Sequence, residues 1–338
     1  MKKSVFLGVV AATAMTAGFA SAATLDDVKA RGELLCGSNT GLTGFGAPDA
    51  NGNWVGFDVS LCRAVAAAVL GDPSKVKFVP TTGETRFTAL ASGEVDLLVR
   101  NSTWTFSRDN DLKLDFVAVN YYDGQGFMVK KDLGVSSAKE LDGATVCIQT
   151  GTTTELNLAD FFKFNNITYT PVTVQDDSEA QRQYLAGACD AYTTDASGLA
   201  ASRATMADPE NHIILPEIIS KEPLGPVVRH GDNQWGDIVR WTYFALLIAE
   251  EKGITKANIE EVAASSTDPE VRRLLGLEGD SGVMMGLDNS WAKNAIAANG
   301  NYGEIFEANI GTSTPIGLAR GLNALWTQGG LQYAPPLR

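Results

Sequence analysis

Three segments of the chain end an apolar run in a cluster of polar side chains. The first is Val99-Arg100-Asn101-Ser102-Thr103-Trp104-Thr105-Phe106-Ser107-Arg108. Ligand sites in open α/β sheets lie at the carboxyl ends of strands. Hydroxyls, backbone amides and a guanidinium collected there make a carboxylate receptor, since arginine can grip a carboxylate with two parallel hydrogen bonds. A surface turn with Arg108 paired to Asp109 or Asp111 is the plainer alternative. The second segment is Ile148-Gln149-Thr150-Gly151-Thr152-Thr153-Thr154-Glu155. Free backbone amides at a helix start attract a negative group, and Thr152 and Thr153 add side-chain donors. An ordinary threonine N-cap with Glu155 as capping-box partner uses the same residues without a ligand. No Gly-Lys-Ser/Thr follows, so this is not a phosphate loop. The third segment, Cys189-Asp190-Ala191-Tyr192-Thr193-Thr194-Asp195, ends in a carboxylate. Asp195 is placed to accept an ammonium group or, more plainly, to cap a helix beginning near Ser197. An arginine for a carboxylate and an aspartate for an amine point to a zwitterion, with one charge handled in each half of the molecule.

Covalent chemistry finds no comparable support. No Gly-x-Ser-x-Gly elbow occurs. The only histidines, His212 and His230, lie away from the three junctions in sequence, and neither sits in a metal motif. In so acidic a chain, spacing alone cannot single out a glycosidase pair of carboxylates. The expectation is a binding protein without catalytic residues, cofactor or metal.

The elements that must position these segments read as two α/β blocks. Residues 25–35 read as a short helix running into a strand, with Leu34-Leu35-Cys36-Gly37 entering the sheet and Thr24 as a candidate cap. A turn-rich loop holds Gly41, Gly44, Gly46 and Pro48. A helix then carries Leu61, Val65, Ala68 and Val69 on its apolar face and ends at Gly71 and Pro73. Strand Val76–Val79, helix Thr85–Ala91 and buried strand Val95–Val99 follow, an order that makes parallel-sheet units. The pattern restarts after Tyr122. Strands Gly126–Lys130, Thr145–Gln149, Tyr169–Val174 and Ala191–Thr193 alternate with helices to give a second α/β block over about 123–217. The remainder is mostly helical, led by a long amphipathic helix from Asn233 to Lys252. No later stretch is apolar and long enough to span a membrane.

Composition sets the compartment. Lys2 and Lys3, an apolar run from Val5 to about Phe19, and Ala20-Ser21-Ala22 have the layout of a cleaved secretory signal over residues 1–22. The chain carries 27 basic and 40 acidic residues, net -13. Such charge argues against nucleic acid or an anionic membrane as partner and suits a soluble monomer. The four cysteines, Cys36, Cys62, Cys147 and Cys189, all follow the signal, and an even number in an exported chain suggests two disulfides. Three pairings are possible. The sequential one, Cys36–Cys62 and Cys147–Cys189, places one bridge in each block and is the expected one, with free buried thiols as the alternative.

Longer motifs carry a resemblance. They are Arg31-Gly32-Glu33-Leu34, Gly52-Asn53-Trp54-Val55-Gly56-Phe57-Asp58-Val59, Arg86-Phe87-Thr88-Ala89-Leu90, Gly93-Glu94-Val95-Asp96 and Gly151-Thr152-Thr153. Near the end come Gly300-Asn301-Tyr302-Gly303-Glu304-Ile305-Phe306 and Arg320-Gly321-Leu322-Asn323-Ala324-Leu325-Trp326, the most specific of the set. Over essentially the whole mature chain the sequence resembles the periplasmic solute-binding proteins of ABC importers for amino acids, and among them the general L-amino-acid-binding type. The resemblance implies an α/β, two-lobed periplasmic binding protein (type II) fold with a helical C-terminal extension. Lobe 1 would comprise 23–121 plus 218–338 and lobe 2 would comprise 122–217, joined by crossovers near Val119–Tyr122 and Pro216–Leu224. It implies a free L-amino acid as ligand, the transmembrane permease of an ABC importer as partner, and a periplasmic location. Its α-carboxylate clamp falls on Arg108, helped by Asn101, Thr103 and the Thr152–Thr153 helix start, and its α-amine acceptor on Asp195. Relatives selective for basic amino acids stack an aromatic ring in the first loop. Leu42 stands at that place here, which weakens a lysine or arginine reading and leaves Phe45 as a wall of the site. Glu84 and Arg86 are the candidates for reading polar side chains. A sensor domain or a binder of another small carboxylate solute is the alternative.

Overall fold

The computed structural model describes residues 23–338; the secretory signal expected over residues 1–22 lies outside them. Helix α1 (Thr24–Arg31) leads into β1 (Leu34–Ser38), and the hairpin β2 (Ala47–Pro48) and β3 (Trp54–Val55) precedes α2 (Phe57–Leu70). Then come β4 (Val76–Pro80), α3 (Arg86–Ala91), β5 (Leu97–Leu98), α4 (Phe106–Asn110) and β6 (Leu114–Phe116). The chain crosses through β7 (Tyr121–Asp123) into a second unit. There β8 (Gln125–Lys130), β9 (Ala144–Gln149), α5 (Thr153–Asn165), β10 (Tyr169–Val174), α6 (Asp177–Leu185), β11 (Ala191–Asp195), α7 (Ala196–Ala204) and β12 (His212–Ile214) succeed one another. It returns through β13 (Glu222–Leu224) to β14 (Val227–Arg229), and helices follow: α8 (Asn233–Glu251), α9 (Ile259–Ser265), α10 (Pro269–Leu274), α11 (Ser281–Met284), α12 (Trp291–Asn299) and α13 (Tyr302–Asn309).

The two sheets have matching layouts. The first runs β4-β1-β5-β14-β6 and the second β10-β9-β11-β8-β12. In each, the first three strands pair parallel and the fourth pairs antiparallel with both of its neighbours, so four strands run one way and one the other. The fourth strand in each order, β14 or β8, directly follows a crossover, and the crossover strands β7 and β13 pair with each other, Tyr122 opposite Pro223. Helices on both faces explain the unbroken apolar strands. In β8, Phe127 and Val129 enter one core with Ile148, Leu158 and Phe162, while Met128 enters the other with Tyr184, Tyr192 and Leu199. The first unit has a larger core, in which Trp235, Ile238 and Leu246 of α8 pack with Trp291 and Phe306. Each large apolar side chain so buried stabilises the fold by about 2 kcal/mol. Disulfides join Cys36 to Cys62 and Cys147 to Cys189, one in each unit, which is the sequential pairing.

Some local expectations change. The strand expected over Val95–Val99 pairs only at Leu97 and Leu98, and β6 and β14 were not expected. Both are three residues long, and β14 reaches its sheet only after the second unit has been built, so no local periodicity marks it. Thr24 does not cap α1. It is the first helical residue, Ala23 holds the cap position, and the Thr24 hydroxyl accepts from Arg229 Nη2 at 2.9 Å. The C-terminal motifs serve the crossover. Asn323 accepts from the Tyr122 backbone N–H at 2.7 Å and donates to its carbonyl at 3.0 Å. The Tyr302 hydroxyl donates to Asn120 O at 2.9 Å, and Arg320 holds Glu250 in a two-pronged pair at 3.0 and 3.1 Å.

Candidate ligand-binding cleft

The carboxyl ends of β5, β9 and β11 face one another between the two sheets. A cavity there of about 10 Å³ is lined by Arg86, Arg100, Asn101, Thr103, Gln149, Thr152, Thr153, Thr154, Thr194 and Asp195. That is space for about one water, so the lobes must part to admit anything larger. A roomier hollow of about 460 Å³ is lined by Lys130, Lys131, Asp208 and His212. It lies at the opposite end of the second sheet, beyond the last residue of β8, and has none of the converging strand ends. The close fit of the lobes depends on glycine. A Cβ on Gly83 would stand 2.6 Å from Thr150 O, and Gly151, with φ of +69°, would place one 2.9 Å from Glu84 Cγ. Neither junction leaves room for a side chain.

The first lobe brings cations to the cleft. Arg108 sits one turn into α4, where Thr105 Oγ1 accepts from its backbone N–H at 3.3 Å. Its Nη1 donates to Thr103 O at 2.8 Å, and its guanidinium lies 4.9 Å from the centre of the Phe87 ring. The pairing with Asp109 or Asp111 that would make it a surface turn is absent among the described ion pairs. Burial pulls its guanidinium down to about 10, opposed by the nearby Glu222 and Asp195 carboxylates. The Arg86 guanidinium lies 4.7 Å from the centre of the same Phe87 ring, and Arg100 is the second residue beyond β5. Arg86 and Arg100 are 3% and 2% exposed. Asn101 takes its place through Asn39, whose Nδ2 donates to Asn101 Oδ1 at 3.1 Å and to Asp177 Oδ2, across the cleft, at 3.2 Å.

The second lobe brings the opposite charge. Asp195 holds the cap position of α7 but makes no side-chain cap bond. Asp123 does that work instead, accepting from the Ser197 amide at 3.4 Å and from its hydroxyl. Asp195 is thereby left to the cleft, 6% exposed. Its carboxyl is pushed well above the usual range, first by burial and then by the charges of Asp123, Glu222 and Asp177, with the Asn101 amide pulling the other way. A cation beside it removes that penalty. Thr152 and Thr153 open α5, where the first amides have no helical partner. The capping box expected here is incomplete: Glu155 reaches back to the Gly151 N–H at 2.9 Å, while the Thr152 hydroxyl donates to Gln149 O at 2.7 Å. Thr103 of one lobe and Thr153 of the other both donate to Glu222 on β13, at 2.5 and 2.9 Å, and Asn157 donates to it at 2.7 Å.

The structure therefore brings together Arg86, Asn101, Thr103, Thr152, Thr153 and Asp195, with Arg108 directly behind Thr103. It separates two other candidates from them. Phe45 is 1% exposed in the lobe 1 core, edge-on to Phe57 and Tyr121 at 6.1 and 5.7 Å, so its ring packs the core instead of walling the cleft. Glu84 is exposed at the rim, against Gly151. Arg100, Gln149, Thr154, Thr194, Asp177 and Glu222 were missed. One signal was available for Asp177: in the pair Asp176-Asp177, Asp176 alone caps α6, accepting from Glu179 N at 2.8 Å, which leaves the second carboxylate free to turn inward.

Two lobes of matching topology, joined by a pair of crossover strands and closing polar strand ends on each other, define a type II periplasmic binding protein. More particularly, the chain belongs to family 3 of the bacterial extracellular solute-binding proteins, matched over residues 34–270. It is 77% identical over the full length of both chains to the glutamate/glutamine/aspartate/asparagine-binding protein BztA of Rhodobacter capsulatus. It is 59% identical, again over all of both chains, to the general L-amino acid-binding periplasmic protein AapJ of Rhizobium johnstonii. Among solved structures, an ABC transporter periplasmic binding protein from Brucella ovis with glutathione bound superposes with a TM-score of 0.91 at 57% identity, covering 94% of this chain and all of that one.

Proposed function

We propose that this protein is the extracytoplasmic receptor of an ABC importer and that it binds free L-amino acids between its lobes. Lobe 1 is assigned to 23–121 with 218–338, and lobe 2 to 122–217. The α-carboxylate is assigned to Arg108, with the Thr103 region and the Thr152–Thr153 amides, and the α-ammonium to Asp195. The observation that carries this reading is the division of charge: one lobe brings buried guanidinium groups to the cleft, from α3, α4 and the segment after β5, and a buried, destabilised carboxylate ends a strand of the other. A zwitterion satisfies both only when the lobes meet, so binding favours the closed form, which the permease then takes up. No covalent step is required. The periplasm is the compartment that fits the expected signal, the pair of disulfides and the family. No helix among the described residues is long and apolar enough to cross a membrane.

The test is calorimetry of the mature chain against the common L-amino acids and their α-decarboxylated amines. Saturable binding of amino acids and none of the amines is the expected result. Binding of the amines as tightly as the amino acids, or of no amino acid at all, overturns the reading.

A further inference from the structure

Glu222 stands on the crossover strand β13 and is 2% exposed. No ion pair to it occurs among the described residues. Four neutral donors converge on its carboxylate instead. Oε2 accepts the hydroxyls of Thr103 and Thr153. Oε1 accepts Asn157 Nδ2 at 2.7 Å and the Ser220 hydroxyl at 2.6 Å. A carboxylate buried without a cation is costly unless its lone pairs are met, so each of these donors matters. Neither Glu222 nor Asn157 is among the residues that line the cleft cavity.

The donors divide by lobe. β13 is stitched to the lobe 1 segment that carries Thr103, since Trp104 N donates to Pro223 O at 2.8 Å and Gly225 N to Ser102 O at 3.1 Å. Thr103 therefore stays with Glu222 as the lobes move. Thr153 and Asn157 lie on α5 in lobe 2. Their bonds to Glu222 form only when α5 comes in against the crossover. We infer that Glu222 is a positioning residue for ligand capture: it ties α5 to the crossover strand in the closed form and so slows release of the ligand without touching it. This rests on the amino-acid reading above and names what holds that site shut. Apparent affinity scales with the population of the binding-competent form, and hydrogen bonds to a charged acceptor are the stronger kind. Because the tie lies outside the ligand, it serves every side chain alike.

The experiment measures release by stopped-flow tryptophan fluorescence and affinity by calorimetry, with L-alanine, L-glutamine and L-glutamate. Glu222→Ala is expected to weaken all three by about tenfold, mostly through faster release. Glu222→Gln keeps an acceptor oxygen for the threonines and should recover most of the loss, to within about threefold of wild type. Asn157→Ala should speed release about threefold. It leaves Glu222 and every cavity residue in place, so it reads the tie even where a Glu222 variant folds poorly. A merely structural role would lower the melting temperature and leave the release rate of the folded fraction unchanged. Unchanged release in Asn157→Ala therefore overturns the inference. A loss confined to one of the three ligands overturns it too, by making Glu222 a ligand contact. Glu222→Gln as damaged as Glu222→Ala would move the effect from the acceptor to the charge, and is equally contrary. A wild-type chain that binds none of the three overturns the amino-acid reading, and this inference with it.

Discussion

The two lobes share one topology and differ in what ends their strands. In lobe 1 the residues at and beyond the carboxyl end of β5 are Arg100, Asn101 and Thr103, with Arg86 and Arg108 brought in by α3 and α4. In lobe 2 the corresponding ends of β9 and β11 carry Gln149, the threonines opening α5, Thr194 and Asp195. A common sheet order therefore fixes where side chains converge, and local sequence fixes their sign. The lobes also differ in support. The lobe 1 core extends through α8 and α12 to the C-terminal segment, whereas lobe 2 has two small clusters on the faces of one sheet. The extension reaches back to the crossover, so the larger lobe also braces the hinge.

Removing a charge from each lobe in turn gives the largest effects. Arg108→Ala should weaken amino-acid binding at least about 100-fold, or roughly 3 kcal/mol, since it leaves a buried carboxylate unpaired. Circular dichroism should show the fold retained, and unchanged calorimetric affinity sinks the assignment. Asp195→Asn should cost about 2 kcal/mol with free amino acids and much less with analogues lacking the α-amine. Equal losses would remove its amine-binding role.

The same aspartate predicts a pH dependence. Its folded-state carboxyl is raised, and it must be ionised to hold an ammonium. Affinity should therefore be full above the raised pKa and fall as pH drops through it. Asp123, which faces Asp195, is pushed up to about 6, first by burial. The fall is thus expected above the ordinary carboxylate range, and Asp195→Asn should flatten it. A wild-type affinity that does not change from pH 8 down to about pH 5 contradicts this.

Closure and bracing sharpen the comparison at smaller scale. Gly83→Val places a branched side chain against the Thr150 carbonyl and should reduce affinity about tenfold. Small-angle scattering should then show less contraction on adding ligand, and full contraction would be the contrary result. Asn323→Ala removes two bonds to the Tyr122 backbone. It should lower unfolding stability by about 1–2 kcal/mol while changing affinity less than about threefold. A larger loss of affinity than of stability would move Asn323 from brace to site.

Much of the fold was legible because helical spacing and apolar strand runs are local. The long α8 pattern and the buried strands of lobe 2 declare themselves within a dozen residues. What stayed hidden was non-local. β14 joins the first sheet across the whole of lobe 2, and Glu222 becomes a junction between lobes only once Thr103 and Thr153 meet it. Arg100 was visible in the strand-end segment yet passed over, because a residue leaving a strand gives no sign of which way it turns. Phe45 shows the reverse error. A ring in a glycine-rich loop looks free for a ligand, and here Phe57 and Tyr121 already occupy its faces and edges.

The most direct measurement is a crystal structure of the mature protein closed on L-glutamate. The account predicts the α-carboxylate about 3 Å from the Arg108 guanidinium and the α-ammonium about 3 Å from Asp195. A ligand lying outside the interlobe cleft, or one with its ammonium turned toward the arginines of lobe 1, would contradict the division of charge between the lobes.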